Sequence, residues 1–318
     1  MGTGPFAVPM FEALRRTPHD IVAVVTRPDH APPGRRPPKN PMREAAVAAG
    51  IEILDPEQIN EPTVVATLAA LAADLFVVCD YGQILSRELL AVSRFGGINL
   101  HGSLLPRHRG AAPVQWTIRE GDPLAGVSVI HMTPALDAGN VLVARATPVG
   151  PRETSAELEQ RLATLGAGAV IEAVERLEAA VAATGTTAGI GVPQEAARAT
   201  RAPRLAKADG VVDWSLPAVR IERLRRALDP WPRLTTFFTR GDDRPQRLVL
   251  EDLAVVSVEG FSPAAPGTVL EAAGDRIVVA CGEGTAVAIT RLVPEGRRSM
   301  SAAEFLRGSP LLPGSRLG

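Results

Sequence analysis

Cysteine is nearly absent from this sequence: Cys79 and Cys281 are the only two in 318 residues, and they lie far apart. That excludes a disulfide framework and a four-cysteine zinc site, and it fits a reducing cytoplasm. Lysine is equally scarce: Lys39 and Lys207 stand beside 32 arginines, a bias of composition to which no function attaches. No apolar run could span a bilayer. The longest, residues 64–79, has 16 residues and is interrupted by Asp74. The opening MGTGPFAVPM lacks the basic start and apolar core of a secretory signal. An excess of charge of one sign is missing too, since 34 basic residues face 35 acidic ones. That excludes a basic histone-like protein and an acidic disordered tail, and leaves local patches open.

Several catalytic signatures are also missing. The histidines are His19, His30, His101, His108 and His131, and none follows Asp137, so the Ser-Asp-His chain order of an α/β-hydrolase is not available. Ser103 lacks the G-x-S-x-G elbow, and no G-x-x-x-x-G-K-[ST] loop occurs. His101 and His108 have no carboxylate or thiol at a usual ligand spacing, so no metal is expected. Residues 2–7 match G-x-G-x-x-A, the dinucleotide fingerprint, and Arg27 could meet a 2′-phosphate. The fingerprint should follow a strand, however, and only Met1 precedes it.

The length predicts two domains. Residues 21–26, 75–79 and 97–100 are short apolar runs of the kind buried on both faces of a sheet, and 126–132 and 141–147 read as further strands. Helical spacing lies between them at 8–16 and 61–73. The alternation predicts an α/β fold with a doubly wound parallel sheet. Thr154 and Glu157 form a capping-box pattern, and apolar spacing from Leu158 continues past Gly166 and Gly168 to Val181. Residues 1–184 are thus expected to form one domain and the aperiodic stretch 185–209 a linker. Residues 210–318 open with a short helix, with Ser215 as N-cap and Pro217 in the first turn. Strand-like segments follow at 235–239, 247–250, 268–271, 276–281 and 286–292, which suggests a small β-barrel, an OB-like one among the options.

The segment 97–113, GINLHGSLLPRHRGAAP, is the most informative. In a strand, Asn99 and His101 share a face while Ile98 and Leu100 face the other way. The strand breaks at Gly102, and ligands of open α/β sheets sit beyond such strand ends. A solvated strand end is the plainer reading of the same spacing. Asp137, in Leu136-Asp137-Ala138-Gly139 after the next strand, could reach the same crevice; taken alone, an Asx-turn is the simpler reading.

Residues 99–106 (NLHGSLLP) together with Asp137 in LDAG resemble the signature of the folate-dependent formyltransferases. The extension RHRGAAP at 107–113 is similar to the branch of that family acting on initiator methionyl-tRNA, as are residues 27–29, 81–85, 209–214, 230–232, 266–268 and 295–301. The resemblance implies a Rossmann-like domain followed by an OB-like barrel, and a cytoplasmic enzyme that moves the formyl group of 10-formyltetrahydrofolate to the amino group of initiator methionyl-tRNA. It implies Asn99, His101 and Asp137 as the catalytic triad. Ser103, Leu104, Leu105 and Pro106 would line the folate pocket, with Tyr81, Gly82, Gln83 and Ile84 as its wall. No membrane and no metal are implied, and a monomer is expected. A formyltransferase acting on an amino sugar or small amine, an NADP-dependent dehydrogenase and an inactive RNA-binding relative are the competing readings.

The chemistry suits these groups. An α-amino group with a pKa of about 8 is partly neutral at pH 7 and attacks the formyl carbon. Asn99 can donate to the oxyanion, His101 can serve as acid–base group, and Asp137 can orient it or take a proton through water. A tRNA partner requires positive charge. Residues 27–43 carry a net +4, including Arg35, Arg36 and Lys39, and residues 195–207 a net +3 from Arg198, Arg201, Arg204 and Lys207 against Glu195. Arg220, Arg223, Arg225 and Arg226 add a third basic stretch. Finally, the family begins with an apolar strand leading into the Met1-Gly2-Thr3 loop. The expectation is that about 5–8 residues of such a strand precede Met1 in the natural chain and that its place in the sheet stands open.

Overall fold

The computed structural model describes residues 1–29, 39–239 and 244–318. They form two compact units, one of Met1–Val114, Pro123–Val149 and Glu157–Arg204, the other of Gln115–Asp122, Gly150–Ala156 and Leu205–Gly318. No helix among the described residues is long and apolar enough to cross a membrane.

In chain order the first elements are α1 (Val8–Leu14), β1 (Val24–Val25), α2 (Pro41–Ala49), β2 (Ile53–Leu54), α3 (Pro62–Ala70), β3 (Phe76–Val78), α4 (Arg87–Leu90) and β4 (Gly97–His101). Then come α5 (Pro113–Glu120), β5 (Leu124–His131), β6 (Val141–Pro148) and α6 (Ser155–Thr184). Local chemistry sets many of the boundaries. Asn40 caps α2 by accepting the Arg43 N–H at 3.1 Å, Pro41 supplies the first turn, and left-handed Gly50 ends the helix. The Asn40 amide also donates to Thr26 Oγ1 and to the Arg27 carbonyl, which fixes the chain as it leaves β1.

The strands do not form one sheet. β1 and β2 pair in parallel as one ladder, and β3-β4-β5-β6 form a separate one. β3 and β4 are parallel; β5 and β6 run antiparallel, a refinement of the all-parallel expectation. The short β5–β6 connection leaves no room for the crossover a parallel pair needs. The run at 21–26 yields only the two-residue β1. Its ladder to β2 is short, and its other edge faces no strand of the second sheet.

The helical spacing from Leu158 belongs to one continuous helix of 30 residues, α6, which runs through Gly166 and Gly168. Gly166 is required by close packing, because a Cβ there would stand 2.7 Å from Leu100 of β4. Leu158, Leu162, Val170 and Leu177 are buried along its length. Both cysteines are buried and free.

In the second unit α7 (Ala218–Ala227) precedes β7 (Thr235–Phe238), β8 (Gln246–Val256), β9 (Val269–Ala273), β10 (Arg276–Ala280), β11 (Ala286–Pro294), β12 (Met300–Ser301) and α8 (Ala302–Gly308). Pro217, not Ser215, holds the N-cap position of α7; the Ser215 hydroxyl donates instead to Asp213 at 2.5 Å. The strands lie in the order β7-β8-β11-β10-β9, with β12 on β11, and every pair is antiparallel. The last residues join the two outer strands. Leu317 bridges to Phe238, Arg316 bridges to Thr268, and the Gly318 N–H donates to Phe237 at 3.0 Å. Pairing both edges in this way removes the open strands that would otherwise invite association.

Gly282 lies where the chain leaves β10. Its N–H is 2.9 Å from the carbonyls of both Trp214 and Leu216, and a Cβ would stand 1.8 Å from the Ser215 carbonyl oxygen. The obstacle is backbone, so the neighbour cannot rotate away. Gly282→Ala is expected to destabilise the protein by about 1–3 kcal/mol, the usual cost of overpacking, as measured by urea unfolding.

Candidate active site

β4 ends at His101 because Gly102 follows and the chain turns away under Val114, which a Cβ at Gly102 would approach to 3.2 Å. The imidazole is buried, with 6% of its side chain exposed. Its Nε2 lies 2.9 Å from the His108 carbonyl oxygen. A carbonyl only accepts, so Nε2 carries the proton and Nδ1 of the neutral ring is left as a base. Nδ1 faces Asp137 Oδ2 at 3.7 Å. Burial pulls the His101 pKa below the ordinary 6.5, while the Asp137 charge pulls it back up.

Asp137 comes from the β5–β6 loop. Its backbone is left-handed, with φ of 49°, a conformation that Asp tolerates better than most residues. Its carboxylate accepts the Gly110 N–H at 2.9 Å. Two residues on, a Cβ at Gly139 would stand 1.8 Å from the His131 carbonyl oxygen, so only glycine lets the loop close there. Asn99 lies two residues before His101 and, by the alternation of β4, on the same face. Its carboxamide is half-buried and bonds nothing among the described residues.

The loop 103–110 is held by hydroxyls. Ser103 Oγ donates to the Arg107 carbonyl at 2.6 Å, Ser128 Oγ donates to the Ser103 carbonyl at 2.8 Å, and the Leu105 N–H donates to Ser128 Oγ at 3.0 Å. Leu104, Leu105 and Pro106 are half-buried, with Leu104 lying over Gly126 of β5. Tyr81 is packed in a core cluster with Val25, Ile59 and Leu85; burial pushes its pKa to about 12. Arg27 donates to the Gly82 carbonyl at 3.2 Å. Gln83 is occupied by the Ile59 N–H and the Pro56 carbonyl, and Ile84 is exposed.

Residues 185–204 are a strap on the first unit rather than free chain. Val192 exchanges hydrogen bonds with Val141, and residues 200–202 run alongside 109–112. Thr200 Oγ1 accepts the His108 N–H at 2.8 Å. Gln194 is the buckle: its Nε2 donates to the carbonyls of Asp137 and Gly139, both at 2.8 Å, while its Oε1 accepts from Arg109 at 3.1 and 2.6 Å. Gly110 is forced by the strap, since a Cβ would stand 2.6 Å from the Ala202 carbonyl oxygen. Sequence reasoning missed Ser128, Gln194 and Thr200. Ser128 left a faint signal, a polar residue inside the apolar run GVSVIHM; the other two lie in an aperiodic stretch.

Of the basic residues, Arg35 and Arg36 lie outside the described residues. Lys39, Arg198, Arg201, Arg204 and Lys207 are exposed, Arg198 beside exposed Glu195 at 3.3 Å. The third basic stretch is a correction. Arg225 and Arg226 are buried, and Arg226 pairs with Glu222 at 2.7 Å and donates to the Glu153 carbonyl. Arg220 and Arg223 bond Glu120. These arginines hold the second unit together and leave little charge for a partner.

Residues 1–174 match the family described as formyl transferase, and residues 204–310 match the formyl transferase C-terminal domain. A methionyl-tRNA formyltransferase of Rhodopirellula baltica is 44% identical over 326 positions, covering 100% of this chain and 95% of its own length. One from Anaeromyxobacter dehalogenans is 42% identical, covering 97% of this chain and 95% of its own. Among solved structures, the N-formyltransferase of Helicobacter canadensis in complex with folinic acid and dTDP-3-aminofucose aligns with a TM-score of 0.60 at 12% identity, over 91% of this chain and 96% of that one. HypX of Aquifex aeolicus in complex with tetrahydrofolic acid aligns with a TM-score of 0.53 at 19% identity, over 83% of this chain and 43% of that one.

Gln194 touches no group that could react, so its effect runs through Asp137. Gln194→Ala is expected to lower turnover about tenfold, roughly 1.4 kcal/mol. It should also move the acid limb of the pH–rate profile downward, because a displaced Asp137 no longer lifts the His101 pKa. Gln194→Glu, which keeps the acceptor for Arg109 but has no N–H to donate, should resemble the alanine variant.

Proposed function

The chain belongs to the formyl transferase family, with the N-terminal and C-terminal domains both present, and from this premise we propose that it transfers the formyl group of 10-formyltetrahydrofolate to the amino group of initiator methionyl-tRNA. The observation that carries the reading is the pairing of an unengaged carboxamide with a buried, neutral imidazole at one strand end.

The amine attacks the formyl carbon, and its oxygen gains negative charge. The Asn99 amide supports that oxygen with an N–H donor that has no other partner among the described residues. The attacking nitrogen gains positive charge and has to lose a proton. His101 Nδ1 is suited to take it, because its other nitrogen is committed to His108 and burial keeps the ring neutral. The Asp137 carboxylate, 3.7 Å from Nδ1, stabilises the imidazolium so formed. The proton then passes to the departing nitrogen of the folate.

A folate fits the same surroundings. Leu104, Leu105 and Pro106 offer a half-buried apolar ledge whose backbone is fixed by Ser103 and Ser128, and the Tyr81–Ile84 loop stands as the proposed second wall. For the tRNA, the proposal rests on exposed Lys39, Arg198, Arg201, Arg204 and Lys207, with Arg35 and Arg36 added on charge alone. An amino-sugar nucleotide would not need this charge, and a formyl-transfer assay offering both acceptors separates the two readings. Formylation of the sugar alone would refute the tRNA assignment.

Asn99→Ala is expected to reduce turnover by about a hundred- to a thousandfold, the usual loss when one oxyanion donor is removed. His101→Ala should lose at least as much. With wild-type enzyme, the loss of activity due to His101 should set in only below pH 6.5, since the base is neutral above that; it adds to the loss from protonation of the substrate amine below about pH 8, which every variant shares. For Arg201→Ala combined with Lys39→Ala, tRNA affinity should fall and the slope of log affinity against log salt should flatten by about two, one for each phosphate no longer neutralised. Folate binding, followed by fluorescence quenching, should be unchanged.

A further inference from the structure

Arg225 is the exception among the arginines of α7. Its side chain is nine-tenths buried, its Nε is enclosed without a partner, and the guanidinium makes no hydrogen bond among the described residues. Its one charged neighbour is the Asp229 carboxylate, 3.9 Å from Nη1 and 44% exposed. A buried guanidinium with idle donors is costly unless something brings acceptor atoms to it.

Arg225 lines a cavity of about 150 Å³ in the second unit, together with Asp229, Arg233, Leu234, Leu250 and Glu251. Leu234 and Leu250 are buried and give it an apolar floor. Arg233 and Glu251 pair with each other, and the Ser299 hydroxyl donates to Glu251, so that wall is already satisfied. The turn at 229–233 is held in place. The Arg233 N–H donates to the Leu228 carbonyl at 2.9 Å, and Ser155 Oγ donates to the Asp229 carbonyl at 2.5 Å. One guanidinium and one carboxylate are left side by side with nothing to bond. Trp231, in the same turn, is exposed.

Charge decides the class of ligand. Two guanidinium groups face two carboxylates, so the cavity is neutral. A phosphate gains no net attraction there and meets the Asp229 charge. The match is a neutral group with two acceptors next to two donors. Guanine has that edge: N7 and O6 accept, and N1–H and the 2-amino group donate beside them. An arginine fork fits O6 and N7, and the carboxylate fits the two donors. Adenine has an amino group where guanine has O6, so one guanidinium N–H would meet another donor, and pyrimidines have no N7. We propose that Arg225 and Asp229 bind the edge of one guanine in the RNA acceptor, with Trp231 as a stacking surface beside it. The base has to be unpaired, because Asp229 takes its Watson–Crick edge. The inference rests on the reading of the acceptor as a tRNA.

The test measures binding of two fluorescein-tagged single-stranded RNAs, UUUGUUU and UUUAUUU, to the full chain by fluorescence anisotropy. Wild type should bind the guanine form about tenfold more tightly, within the range of one bidentate base contact. Arg225→Lys keeps the charge and loses the fork, so it should bind the two RNAs equally. Asp229→Ala should reduce the preference. Trp231→Ala should weaken both RNAs and keep their ratio, since stacking tolerates any base. If Arg225→Lys does not fold, as judged by circular dichroism, the wild-type ratio and Asp229→Ala still decide. Equal binding by wild type, or a preference that survives Arg225→Lys, would overturn the proposal. So would displacement of the RNA from wild type, but not from Arg225→Lys, by inorganic phosphate at constant ionic strength or by free methionine. The first assigns the cavity to an oxyanion, the second to an amino-acid zwitterion. Formyl transfer is assayed separately. A guanine preference in a protein that formylates only an amino sugar would refute the tRNA reading and leave the site, whereas tRNA formylation without the preference refutes the site alone.

Discussion

A buried imidazole needs a partner for its N–H, and the first unit is arranged around meeting that need at His101. The His108 carbonyl supplies it, which requires the chain to fold back within seven residues of the strand end. The fold-back leaves backbone groups of its own to satisfy. Ser103, Ser128 and Thr200 answer those, and Thr200 can do so only because the strap crosses beside residues 108–112. With one ring nitrogen committed, the other is a base by default. The same crossing places Gln194 where it grips the backbone of the Asp137 loop. Protonation state, loop shape and carboxylate position thus follow from one unsatisfied donor.

Charge in the two units is handled differently. In the first, Arg201 and Arg204 of the strap are exposed along a segment whose backbone is already engaged, while Arg198 faces Glu195 at 3.3 Å. In the second, arginines of similar density along α7 are committed to Glu222, Glu120 and backbone carbonyls. Guanidinium groups with their five donors suit such buried multiple contacts, and with two lysines in the whole chain arginine has to serve both purposes.

Much of this was legible in the sequence because it is local. Period-two spacing put Asn99 and His101 on one face, and the glycine at 102 marked the strand end. The Asp137-Ala138-Gly139 turn gave the carboxylate, and the strand runs of the second unit fell on observed strands, although 247–250 covered only part of β8 and β12 was not read. What failed was long-range. The strap has no periodicity, since its bonds go to residues 50 to 92 positions away. The arginines of α7 read as a basic patch because composition does not distinguish a buried ion pair from a solvated charge. The run at 21–26 has the composition of a strand, but a strand is made by partners, and at β1 only one edge has one along its length.

The burial of the two cysteines has a practical side. Burial raises the Cys79 thiol well above its usual range and the Cys281 thiol to about 12, and both side chains are almost wholly enclosed. The thiolate is the reactive form toward maleimides and iodoacetamides, and neither residue supplies it at neutral pH. The native protein is therefore expected to react slowly with thiol-directed dyes and spin labels. A single cysteine introduced on the exposed strap would dominate the signal, so the surroundings of that position can be followed without first removing either natural cysteine.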